Sequence, residues 1–276
     1  MMNERKVIKA VQGRKAIDGA GVHLVRVLGA DDVLDFDPFL MLDSFDSTNP
    51  SDYTKGFPMH PHRGIETVTY LIEGEIEHED SLGNKGVIHD GESQWMTAGS
   101  GIMHQEMPKA SSRMLGLQIW LNLPQGEKMT PPEYFEIDRD MVAVKEEDFG
   151  IVRVISGHYK EVKGIQPPHW NATLYDVSLH AGKEAVLPTN PEENVFIFLI
   201  LGDAQIDGQN YPEKTAVLFD SGDNICLKAD QDCRFLFFSG KKLRESIAWG
   251  GPIVMNTQQE LQNSFYELNN GTFIKR

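Results

Sequence analysis

The chain has 276 residues, with 26 Lys+Arg against 41 Asp+Glu, a net charge of −15 and a pI near 5.0. That length allows two domains of about 100–150 residues or one large all-β unit, and so acidic a surface repels phosphate, which excludes unaided binding to nucleic acid or an anionic membrane. Two cysteines, Cys226 and Cys233, no apolar leader and no run near the roughly 20 apolar residues of a membrane span point to a soluble cytoplasmic protein in a reducing compartment.

Apolar residues cluster or alternate in short runs at 22–27, 67–72, 115–121 and 195–201, with Gly and Pro punctuating them, which predicts an all-β chain. The acidic run 75–80 reads as a solvated strand face, with His78 and His89 as turn or surface histidines. Laid over itself, the chain repeats: Tyr70-Leu71-Ile72-Glu73-Gly74 matches Phe198-Leu199-Ile200-Leu201-Gly202 at an offset of 128, and His89-Asp90-Gly91-Glu92 matches Asp220-Ser221-Gly222-Asp223 at 131. A β-sandwich or jelly roll built twice has this form. The seam is expected in the charged stretch 131–149, giving domains over 1–135 and 145–276. Near the end the period changes: Thr257 and Glu260 form a capping box, Leu261, Phe265 and Leu268 follow at helical spacing, and Gly271 stops the run. A C-terminal amphipathic helix packed on the sheets is predicted.

Chemistry concentrates in two pairs, His60-Pro61-His62 and His104-Gln105-Glu106. On a strand, residues i and i+2 share a face, so each pair can present two ligands side by side, and two neighbouring strands would converge three imidazoles and one carboxylate. A lone His-x-His pair is more often two rim histidines than a metal site; two such pairs, 42 residues apart, carry the metal reading. The donor set suits Fe(II), Mn(II), Ni(II), Cu(II) or Zn(II), and no nearby Cys supplies a thiolate. Four protein ligands leave a six-coordinate ion such as Fe(II) open to substrate but saturate tetrahedral zinc. Under the two offsets the facing positions in the second copy are Pro188, Asn190, Phe235 and Phe237, so that copy is expected to be metal-free. His23, His158, His169 and His180 have no partner at ligand spacing.

Longer motifs surround these pairs. Gly56-Phe57-Pro58-Met59-His60-Pro61-His62-Arg63-Gly64, Gln94-Trp95-Met96-Thr97-Ala98-Gly99, Gly101-Ile102-Met103-His104-Gln105-Glu106-Met107-Pro108 and Gly251-Pro252-Ile253-Val254-Met255-Asn256-Thr257 closely resemble the pirin family of bicupins. The likeness extends through Asp37-Pro38-Phe39-Leu40 and Val152-Arg153-Val154-Ile155-Ser156-Gly157, so it covers essentially the whole chain. It implies two tandem cupin (jelly-roll β-sandwich) domains with a C-terminal helix, and iron in the first of them on the positions matching His60, His62, His104 and Glu106. The implied activity is that of an iron-dependent quercetin 2,3-dioxygenase, which opens a flavonol-like aromatic with dioxygen. Eukaryotic members imply the rival reading, a non-enzymatic metal-dependent regulator acting through a protein partner. A different small-molecule dioxygenase or isomerase is a third reading, because cupin chemistry varies while the fold does not.

General cupins place a ligand Glu four residues after the second His, where Glu66 stands; in the pirin pattern Glu106 takes that role. Even spacing puts Glu66 on the face of His60 and His62 if no bulge intervenes, as an acceptor for a ligand imidazole, a base near substrate beside Glu106, or simply a buried hydrogen-bonded carboxylate. Trp95, Phe57 and Met103 are candidates for an aromatic pocket or for core, and Asp43 for a partner of a ligand imidazole.

Overall fold

The computed structural model describes residues 3–169 and 171–275. The chain divides into two compact units, neither contiguous in sequence: one holds 15–33, 39–138 and 243–275, the other 3–14, 34–38 and 139–242. The change from one to the other at 138/139 falls inside the expected seam, but the terminal segments do not follow the boundaries 1–135 and 145–276. The cause is pairing and burial. Strand Val7–Gln12 lies antiparallel on Thr215–Phe219, covering what would otherwise be an open sheet edge. The C-terminal segment buries Val254 in a cluster with Met41, Ile65 and Met96, and Arg63 donates to Ser264 Oγ on the helix Gln258–Asn269 and to Phe273 O beyond it.

In the unit holding 39–138, a seven-stranded sheet runs in the order Glu133–Ile137, Ser93–Thr97, Ile65–Glu73, Met114–Asn122, Phe39–Ser47, Val22–Leu28, Arg14–Asp18. A four-stranded sheet runs Phe57–His62, Ile102–Pro108, Ile76–Asp80, Lys85–Ile88. Met114–Asn122 is buried at every position, which is why 115–121 reads as an apolar run broken by Gln118. Ile102–Pro108 alternates buried and half-buried residues, so its even-numbered side chains share the covered face.

The second unit has the same order: Val7–Gln12, Thr215–Phe219, Asn194–Leu201, Cys233–Gly240, Thr173–Leu179, Gly150–Ser156, Ala143–Glu147, with a smaller sheet Glu184–Pro188, Asn224–Lys228, Ala204–Ile206, Gln209–Tyr211. Each unit is a cupin jelly roll, and the 128-residue offset aligns Ile65–Glu73 with Asn194–Leu201. The 131-residue offset does not survive: the turn 89–92 precedes strand Ser93–Thr97, whereas 220–223 follows the matching strand Thr215–Phe219. The counterpart of Ile102–Pro108 is Asn224–Lys228, where Asn224 opposes Pro188 as His104 opposes His60. The positions matching His104 and Glu106 are therefore Asn224 and Cys226, rather than Phe235 and Phe237.

Burial pushes the thiols of Cys226 and Cys233 up to about 12, with Glu184 adding to the shift at Cys226. Since the thiolate is the reactive form, both cysteines of the folded protein should react with a disulfide reagent at pH 8 at least about a hundredfold more slowly than in urea. A thiol-release trace that shows no such difference would contradict this.

The helix begins as predicted: the Thr257 side chain accepts from the Glu260 N–H, and the Glu260 carboxylate takes the Thr257 N–H. Its stripe packs only in part, since Leu261 is buried while Phe265 stays exposed. Among the described residues no helix is long and apolar enough to cross a membrane.

Candidate metal centre

Strand Phe57–His62 pairs antiparallel with Ile102–Pro108, setting His104 directly opposite His60 and Ile102 opposite His62. The period-2 geometry places His60 and His62 on one face and His104 across from them, so the ring centroids lie 4.8 Å (60–62), 4.3 Å (60–104) and 5.0 Å (62–104) apart. One ring nitrogen from each of the three lies within 4.8 Å of the others, and no other such group of His, Cys, Asp or Glu occurs among the described residues. His60 Nε2 and His62 Nε2 are 3.1 Å apart.

The other nitrogens fix how these rings are presented. His60 Nδ1 lies 2.9 Å from the Pro58 carbonyl and His62 Nδ1 lies 2.9 Å from the Pro252 carbonyl, so each donates from Nδ1 and leaves Nε2 as a lone pair. Burial, with the His60 ring alongside, pushes His62 down to about 3; burial and the neighbouring His62, His60 and His78 hold His104 well below the usual imidazole range. His104 is fully enclosed, and neither of its ring nitrogens has a hydrogen-bond partner among the described residues. Buried polar atoms are almost always paired. Neutral imidazoles that face one another with no protein donor between them fit a shared metal ion, whose charge would satisfy all three.

Glu106 is outside that trio, and the register explains why. A shift between His104 and Glu106 sets Glu106 opposite Phe57, with His78 opposite it on the other flank. Its buried carboxylate accepts from Thr69 Oγ1 (2.9 Å), Gln118 Nε2 (2.6 Å) and Gln94 Nε2. Gln118 is held in turn by the Trp120 indole, which donates to Gln118 Oε1 at 3.2 Å. Glu106 shares with His60 and His62 the lining of a cavity of about 590 Å³. Met41, Phe57, Trp120 and Trp249 supply its apolar wall, and Asp43 and Arg26 sit in its polar part. Asp43 holds Arg26 rather than an imidazole: Arg26 Nε and Nη2 donate to its two oxygens at 2.9 and 2.7 Å, and Nη2 also reaches Asp18 at 2.6 Å.

Glu66 does not join the site. The ligand strand ends at His62 and the chain enters the other sheet at Ile65, so the parity count breaks at the turn. On Ile65–Glu73, Thr69 points to Glu106, and Glu66, three residues earlier, faces the other way, where it accepts from Thr97 Oγ1 at 2.8 Å. Trp95 is core, stacked near Phe135, and Met103 does not line the cavity. The run 75–80 is only half solvated: Ile76, His78 and Asp80 are buried, His78 stacks on Tyr134 at 4.0 Å, and its Nε2 meets Asp80 Oδ2 at 3.2 Å beside His104.

The turn after His62 is braced from the C-terminal segment. At Gly64 (φ +76°) a Cβ would come within 2.0 Å of the Val254 carbonyl, so only glycine fits. The buried Lys128 donates to Gly64 O (2.8 Å), Val254 O (3.0 Å) and Asn122 Oδ1 (2.5 Å), and burial pushes its ammonium down to about 7.

A double jelly roll in which, among the described residues, a cluster of imidazoles occurs in one barrel and not the other defines a bicupin with one candidate metal centre. The family description Pirin matches residues 21–121, and Pirin C-terminal cupin domain matches 174–274. A pirin-like protein of Caulobacter vibrioides is 41% identical over 99% of this chain and 100% of its own length. The crystal structure of quercetin 2,3-dioxygenase from Acinetobacter baumannii superposes with a TM-score of 0.90 at 31% identity, covering 98% of each chain. A bacterial pirin, YhhW from Escherichia coli, in complex with nickel(II) does so with a TM-score of 0.67 at 25% identity, covering 85% of this chain and 99% of that one. The chain belongs to the pirin family.

Proposed function

We propose that the protein is an iron-dependent dioxygenase of the quercetin 2,3-dioxygenase type, with His60, His62, His104 and Glu106 as the metal ligands and a flavonol-like aromatic as substrate. The observation that carries this reading is the cavity of about 590 Å³ that reaches His60, His62 and Glu106, because a sealed centre would serve a sensor and an open one serves a catalyst. Its volume lies within the range of small-molecule pockets, about 300–1,000 Å³. The relative from Acinetobacter baumannii, described as a quercetin 2,3-dioxygenase, supports the substrate class, and the nickel(II) complex of YhhW supports a divalent ion at this centre.

A bound divalent ion would supply Lewis acidity toward the enol oxygens and an electron relay between the substrate and dioxygen. The remaining work belongs to the chain. The indoles of Trp120 and Trp249 with Phe57 and Met41 offer apolar walls for flat rings and exclude water from them. Pro58 and Pro252 carbonyls hold two imidazoles in the tautomer that ligates. Glu106 is the carboxylate assigned to take the proton of the substrate's enol hydroxyl, and the donors Thr69, Gln94 and Gln118 fix its position.

The test is anaerobic addition of quercetin to the iron(II)-loaded protein, followed by admission of oxygen. Oxygen uptake with release of one carbon monoxide per flavonol is expected. Uptake no greater than that of the metal-free protein would remove the catalytic reading and leave metal-dependent regulation through a protein partner.

A further inference from the structure

The second unit keeps a cavity where the first has its metal centre, and its chemistry differs. A space of about 510 Å³ is lined by Pro188 and Asn190, the residues that match His60 and His62 at the 128-residue offset. Ring carbons of Tyr175 and Phe237, stacked at 4.9 Å, contribute its apolar part. Glu193 stands on its wall.

The hydrogen-bond donors to that carboxylate are neutral side chains, and the Arg5 guanidinium acts on it only through space. Ser239 Oγ donates to Oε2 through a short hydrogen bond, and Asn190 Nδ2 donates to Oε1 at 3.3 Å. The nearby guanidinium of Arg5 goes elsewhere, to Thr189 Oγ1 and to the carbonyls of Gly222, Asp220, Asn190 and Glu193. Among the described residues no Lys or Arg lines the cavity. A half-buried carboxylate at a pocket wall without an ion-pair partner is complementary to a cation, and the adjoining aromatic rings suit an apolar body attached to it.

We propose that the cavity of the second unit is a binding site for a small organic ammonium ion, with Glu193 as counter-ion, Asn190 and Ser239 fixing that carboxylate, and Tyr175 and Phe237 receiving the apolar body. The assignment is independent of the metal centre and of the reaction proposed for it.

Benzylammonium is the probe, with benzyl alcohol as its neutral analogue and benzoate as the anion, each titrated calorimetrically into the full-length protein. Saturable binding of benzylammonium, at least tenfold tighter than either analogue, is expected. Glu193→Gln should weaken it at least tenfold, while Trp249→Ala, in the other cavity, leaves it within twofold. Should Glu193→Gln fail to fold, ring-labelled tyrosine spectra of the wild-type protein give the same answer: the Tyr175 signal, assigned through Tyr175→Phe, moves on adding benzylammonium and not benzyl alcohol. Absence of saturable binding at millimolar concentration, equal affinity for the alcohol, loss on Trp249→Ala, or a Tyr175 signal that stays in place would each overturn the proposal.

Discussion

Replacement of His104 by alanine is expected to leave a folded protein that retains no first-row metal, whereas the parent chain reconstituted with iron(II) holds about one ion per chain after gel filtration. The His104 ring is wholly enclosed, has no hydrogen-bond partner among the described residues, and stands 4.3 and 5.0 Å from the rings of His60 and His62. Its removal leaves only two of the three imidazoles whose nitrogens lie within reach of one ion. An ion that binds only the native state stabilises it by about 2.7 kcal/mol at a free concentration of 100 Kd. For a chain of this size that corresponds to a rise in Tm of roughly 5–10 °C on loading the parent, and the variant should show none. His89→Ala, at an exposed position, is the control that keeps both metal and shift. Equal metal content in the parent and His104→Ala, measured by elemental analysis, would show that the three imidazoles do not share an ion.

The second large effect concerns the residue after the ligand pair. Arg63 is buried and donates from Nε to Ser100 O (2.8 Å), from Nη1 to Ser264 Oγ (3.1 Å) and from Nη2 to Phe273 O (2.8 Å). It also pairs with Glu267 at 2.8 Å and lies over the Phe273 ring at 4.1 Å. One guanidinium therefore ties the ligand strand to the C-terminal helix and the segment beyond it. Arg63→Met keeps most of the volume but strands two buried carbonyls and a carboxylate, a loss expected to cost about 3–5 kcal/mol. Urea unfolding should show the drop in midpoint, and limited proteolysis should release the C-terminal segment first. An unchanged midpoint would mean that the helix is held by its apolar contacts alone.

Arg63 also marks a limit of sequence reading. It stands inside a motif, yet nothing local tells a buried clasp from a surface arginine, because its partners lie 37 to 210 residues away along the chain. The ligand pairs are different. Two residues at i and i+2 share a strand face whatever the tertiary fold, so His60, His62 and His104 could be singled out before any strand pairing was known. The helix is equally local, since Thr257 and Glu260 satisfy each other's backbone within one turn.

Three polar residues carry a signal in the sequence that points toward the site. Thr69, Gln94 and Gln118 each lie on a strand that is buried along nearly its whole length, and a buried polar side chain needs a partner. Their common partner, Glu106, emerges only when three strands and the ligand strand come together. His78 and Asp80 carried a similar signal in the alternation that begins at Ile76, obscured by the acidic residues on the opposite face.

Parity misleads where the chain changes sheet. Counting in twos from His62 carries Glu66 onto the ligand face, but the turn at Arg63-Gly64 resets the count, and Glu66 points to Thr97 instead. The repeat has the same weakness: the 128-residue offset aligns like with like, while the turn match at 131 joins a segment before one strand to a segment after its counterpart.

By itself the sequence determined two β-rich halves, a capped helix at the end and three imidazoles able to meet, because strand alternation, capping and i, i+2 spacing are local properties of the backbone. Only the tertiary structure decided which half each terminus joins, which carboxylate turns toward the cavity, and which charged residues are enclosed. Those outcomes depend on sheet edges and buried hydrogen bonds between segments up to about two hundred residues apart, and no local pattern encodes the partner.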